Sequence, residues 1–78
     1  REISMWMKNT FIPLDILFVD GNGKIMNIAK SAQPRSFSII RSKREAKAVL
    51  ELNGGLTDKL GIDVGDRIIY STFKNTEK

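Results

Sequence analysis

The chain has 78 residues, 41% of them apolar, with 13 Lys and Arg, 9 Asp and Glu, and neither cysteine nor histidine. That length bounds one small domain, expected over residues 1–78, and the apolar share is too high for a disordered segment. Lacking cysteine and histidine, the chain has no disulfide, no thiolate metal site, no imidazole base and no imidazole metal ligand.

Ile3 to Met7 is apolar with one aromatic residue and reads as a short strand. Asn9-Thr10 breaks it, and Pro13 cannot donate in a ladder. Leu14 to Val19 is almost wholly apolar and rich in branched residues, which predicts a strand buried on both faces. Asp20-Gly21-Asn22-Gly23 supplies residues that tolerate the positive φ of a tight reversal, so Lys24 to Ala29 is expected to return as its hairpin partner. Ser31 to Ser42 contains Pro34, several serines and two arginines, and reads as a long loop anchored by Phe37, Ile39 and Ile40. In Glu45 to Leu52, Ala46, Ala48, Leu50 and Leu52 alternate with Lys47 and Glu51, the period of a strand with one wet face. Leu56 to Leu60 is expected to form one or two helical turns, with Asn53 available as a start cap and Gly61 as a stop. Gly65-Asp66 reads as a turn, Arg67 to Phe73 as the last strand, and Asn75 to Lys78 as a fraying polar tail.

Strands dominate, and the alternation of strand and helix that builds a parallel sheet is missing. The expected fold is therefore mainly β: a small antiparallel sandwich or barrel-like domain with one short helix. No run approaches the ~20 apolar residues of a membrane helix. No signal peptide is visible, and the chain begins at Arg1 rather than methionine, so an upstream segment is expected to have been removed or left out.

The net charge of +4 is local. Arg35, Arg41, Lys43, Arg44 and Lys47 face a single acid, Glu45, in that window, and the remainder of the chain is neutral. Such a stretch is either a solvated mixed-charge surface or a patch for phosphate, nucleic acid or an anionic surface.

Two longer signatures stand out. Trp6-Met7-Lys8-Asn9-Thr10, then Ile12-Pro13-Leu14-Asp15 and Phe18-Val19-Asp20-Gly21, form the first. Ala48-Val49-Leu50-Glu51-Leu52-Asn53-Gly54-Gly55 and Gly61-Ile62-Asp63-Val64-Gly65-Asp66-Arg67 form the second. Together they resemble domain-of-unknown-function family 192, from about Ser4 to Ile69. The resemblance implies a compact, mainly β fold found in bacteria and archaea, often behind export or lipoprotein signals, with no established activity. Family members usually carry several dozen residues before the tryptophan motif, including a strand and a Gly-Leu-Met segment. The chain is thus expected to be a fragment with an open sheet edge and a tendency to associate.

Trp6, Lys8, Asn9, Thr10 and Asp15 form the densest polar and aromatic group beside apolar strands. Trp6 either packs, with Met5 and Met7, or offers a stacking platform beside Lys8. Lys8 is suited to an anion, and Asn9 and Thr10 to a polar ligand. Asp15 interrupts an apolar run and needs a partner, either Lys8 or a backbone amide. The remaining aspartates suit turns better than a metal or hydrolytic site: Asp20-Gly-Asn-Gly lacks the later glutamate of a calcium loop, and Asp63 and Asp66 flank Gly65.

No catalytic residues, metal site or cofactor are assigned. The expected function is a ligand-binding or protein-interaction module, the partner being an unidentified small ligand or protein, with Trp6, Lys8, Asn9, Thr10 and Asp15 at its site. The alternatives are nucleic-acid or anionic-surface binding through a basic loop over 35–47, and an enzyme whose site is completed by the absent N-terminal segment.

Overall fold

The computed structural model describes residues 2–68. Five strands and one short helix follow in order: β1 (Glu2–Met5), β2 (Leu14–Val19), β3 (Ile25–Ala32), β4 (Ile40–Glu45), β5 (Ala48–Asn53) and α1 (Leu56–Leu60). They form two antiparallel sheets, β1-β4 and β3-β2-β5, which do not close into a barrel. The mainly β, sandwich-like reading with one helix therefore holds. Among these residues no helix is long and apolar enough to cross a membrane.

β2 is the centre of the larger sheet, paired on both sides, and every residue from Asp15 to Val19 is buried. This is why its sequence runs apolar rather than alternating. The reversal to β3 is the expected hairpin. Gly23 takes φ 82, and the Asp20 carboxylate accepts the amides of Asn22 and Lys24 at 2.8 and 3.0 Å. These bonds, Lys24 first, hold the Asp20 carboxyl below its ordinary value.

The two sheets share one core. Met7, Ile16, Phe18 and Ala46 are buried together, with Ile3 and Met5 from β1, Ile40 from β4 and Val49 from β5 against them. Period two along β1 turns Ile3, Met5 and Met7 inward and leaves Trp6 outward.

Several boundaries differ from expectation. The first strand ends at Met5, since Met7's carbonyl is taken by loop amides. Residues 40–45 of the supposed basic loop are strand β4, so the loop shrinks to 33–39. Of its presumed anchors only Ile40 joins the core, while Phe37 and Ile39 are exposed. The expected strand over 45–52 is broken at Ala46-Lys47. Ala48, Leu50 and Leu52 pair with Val19, Leu17 and Asp15, whereas Ala46 packs with Phe18 on the other side of the sheet. The cap of α1 is Gly55 rather than Asn53, and Gly61 ends it in the left-handed conformation at φ 71. Arg67 bridges to Lys24, but the rest of the expected strand to Phe73 and the 75–78 tail lie outside the described residues.

β4 carries an irregularity that its serine explains. The register with β1 shifts between Glu2 and Ser4, and Lys43 takes φ 70. The buried Ser42 hydroxyl fills the gap, accepting the Ile3 amide at 2.9 Å and donating to the Arg44 carbonyl. Both backbone groups are thereby satisfied where the ladder is interrupted.

Candidate functional site

The five residues of the expected site separate into two places. Asp15 lies on the face of β2 turned toward α1 and is fully buried. It accepts four hydrogen bonds: the Ser31 amide at 2.8 Å, the Gly55 amide at 3.1 Å, the Thr57 amide at 2.9 Å and the Thr57 hydroxyl at 2.7 Å. Burial would push the carboxyl up, but these donors, with Ser31 the largest, reverse that and hold it well below the usual carboxylate range. The side chain thus caps α1 from across the sheet, in place of a local cap. Thr57 and Ser31 were not identifiable as its partners from sequence, because the contacts span 42 and 16 positions.

Trp6 and Lys8 occupy the other place, with Arg35 and Arg41 from the basic stretch. Trp6 is 49% exposed. The Lys8 ammonium stands 5.3 Å from its ring centroid, and Phe37 meets it edge to face at 6.0 Å. Arg35 stands in the same relation to Phe11, its guanidinium 5.7 Å from the ring. Phe11 and Phe37 are 79% and 68% exposed, so the rings are presented to solvent rather than packed.

Two loops, 6–13 and 33–39, build this surface, and a single carbonyl ties them. Met7 O accepts the Thr10 amide at 3.2 Å, the Thr10 hydroxyl at 2.8 Å and the Arg35 amide at 2.6 Å. Thr10 therefore shapes the loop, while Asn9 is exposed beside it. Arg35 reaches Met7 by taking φ 63.

β-pairing brings Arg41 to the same face. Met5 pairs with Ile40 and Ser4 with Arg41, so Arg41 and Trp6 both project from the outer side of the β1-β4 sheet. Lys43 and Arg44 follow the Ser42 irregularity, and Lys47 sits in the β4–β5 connection, its amide bonded to Val19 O at 2.7 Å. The basic residues are thus distributed over the 33–39 loop, strand β4 and the β4–β5 connection rather than gathered in one loop. Sequence reasoning missed Phe11 and misplaced Phe37 and Ile39. The available signal was their position in turn-rich segments without a neighbouring apolar period.

No curated protein matches the chain. Two solved structures do. One is a provisionally assigned transcription regulator from Sinorhizobium meliloti 1021, 48% identical, with a TM-score of 0.84 over 86% of this chain and 52% of its own. The other is a protein of unknown function from Novosphingobium aromaticivorans DSM 12444, 45% identical, with a TM-score of 0.83 over 86% of this chain and 48% of its own. The chain spans about half the length of each. A family model described as "Uncharacterized ACR" matches residues 1–70. The chain therefore belongs to domain-of-unknown-function family 192.

Proposed function

We propose that the chain is a binding module whose ligand or partner docks on the outer face of the β1-β4 sheet and the two loops beside it. The observation that carries this reading is the Trp6–Lys8–Phe37 contact. An indole is held half in solvent, with a cation on the ring and a second aromatic at its edge. Exposed aromatic groupings with arginine nearby are the usual centre of a recognition surface. Asp15 lies apart from this surface and holds β3, the β5–α1 turn and α1 together.

The test is an amide-resolved NMR titration with small aromatic and anionic fragments. Shifts concentrated in residues 6–12 and 33–39 are the expected result. Shifts centred on α1, or none at all, overturn the reading.

A second reading, nucleic-acid binding through Arg35, Arg41, Lys43, Arg44 and Lys47, draws on the provisional assignment of one relative to transcription. It requires affinity that falls steeply with salt and is lost when Arg41, Lys43 and Arg44 become alanine. Self-association through an open edge draws on β5, which among the described residues pairs only with β2. It requires a mass by light scattering that grows with concentration.

A further inference from the structure

Five of the seven large apolar side chains exposed among the described residues, Trp6, Phe11, Ile12, Phe37 and Ile39, lie on the two loops tied at Met7 O. Charge is equally one-sided. Neither residues 3–14 nor residues 21–44 contain an acid, so every charged side chain of these loops, and of β4 as far as Arg44, is a cation. The nearest acids on these strands, Glu2 and Glu45, pair at the far end of the β1-β4 ladder from Trp6.

From this placement we infer that the two loops form a docking surface for an anionic phospholipid bilayer; the inference rests on the binding-module reading and names its partner. The charge complementarity is with lipid phosphates. Lys8 and Arg35, beside Trp6 and Phe11, sit at headgroup level when the rings enter the interface. Two features favour a bilayer over a single-stranded nucleic acid. Cations stand over the Trp6 and Phe11 rings, and the Trp6–Phe37 contact is edge to face at 81°, which makes no parallel slot for bases. Ile12 and Ile39 add aliphatic surface that base stacking does not use but an acyl boundary does.

Trp6 is the only tryptophan, so its emission reports the site directly. The 78-residue chain is mixed with vesicles of phosphatidylcholine, alone or with phosphatidylglycerol, and followed by Trp6 emission and co-sedimentation. A blue shift and sedimentation with phosphatidylglycerol vesicles only, reversed by salt, is the expected result. The double variant F11S/F37S should lower partitioning by about tenfold or more, and Arg35→Ala with Arg41→Ala should weaken it and flatten its salt dependence. Circular dichroism of each variant separates loss of binding from loss of fold. Absence of vesicle binding, binding equal with and without phosphatidylglycerol, or a saturable Trp6 response to oligothymidylate but not to vesicles overturns the inference. Fragment shifts at the loops without vesicle binding sink the lipid inference alone. Failure of both experiments sinks the binding surface as well.

Discussion

Asp15 is the residue on which the interior depends most. Its four donors come from β3, the β5–α1 turn and α1, so one carboxylate joins three parts of the chain. Asp15→Asn keeps the size but replaces one acceptor oxygen with a donor facing N–H and O–H groups. We expect it to cost about 3 kcal/mol at neutral pH, read from urea unfolding. The pH dependence has a definite sign. The folded carboxyl ionises below its unfolded value of about 4, so its contribution is complete above that pH and is lost as pH falls below it. The stability gap between the native chain and Asp15→Asn should therefore narrow from about pH 5 to about pH 3. A gap that stays constant through that range would assign the acid lability to other groups. Gly54 offers a second case. A Cβ there would lie 2.9 Å from Pro13 Cβ and 3.1 Å from Pro13 O, while the Gly54 amide bonds that same carbonyl at 2.9 Å. Gly54→Ala should cost about 1–3 kcal/mol, whereas Gly21→Ala, with nothing within 4 Å, should stay within about 0.5 kcal/mol. Thermal melts of the two variants compare them directly.

Among the elements, those specified by local chemistry were legible. The β2–β3 hairpin is written in Asp20-Gly21-Asn22-Gly23, and the end of α1 in Gly61, because glycine tolerates the backbone needed there. The burial of β2 on both faces followed from its unbroken apolar run. The break at Ala46-Lys47 was not legible, since an alanine keeps apolar alternation whichever side of the sheet it enters. Nor was β4 legible. Its exposed positions are charged, mostly bases, and its inward ones are Ile40 and Ser42, so a single isoleucine sets no apolar period that marks it as a strand. Ser42 belongs there because its hydroxyl replaces a ladder partner. Ser42→Ala should strand the Ile3 amide and the Arg44 carbonyl and cost about 1–2 kcal/mol. Faster hydrogen exchange at the Ile3 amide is the local readout. Unchanged protection there would show that another group serves the amide.

At the scale of the whole molecule, the residues that carry stability and those of the proposed recognition surface occupy different regions. The shared core of Met7, Ile16, Phe18 and Ala46 holds the sheets, while the aromatic rings of the two loops stand in solvent. We therefore expect the double variant F11S/F37S to unfold within about 1 kcal/mol of the native chain. Phe18→Ala, at a fully buried position, should lose about 3–5 kcal/mol or fail to fold. Chemical denaturation with tryptophan emission measures both. Half of the candidate site was visible in the sequence: Trp6 and Lys8 lie two positions apart and meet in space. Arg35 and Arg41 joined them only through loop closure and β-pairing, which no short motif encodes. Asp15 had the correct character, an acid that needs partners, but its partners were set by long-range packing.

The carbonyl of Met7 gathers three donors, two of them main-chain amides and the third a threonine hydroxyl. None of those bonds involves the side chains at 6, 8, 11, 35 or 37. The scaffold and its decoration are consequently separable: mutation can exchange the outward groups, and with them whatever chemistry the proposed surface would grip, while the clasp underneath keeps its shape. Under the proposed binding role, a change of specificity would need new side chains at these positions and no new backbone.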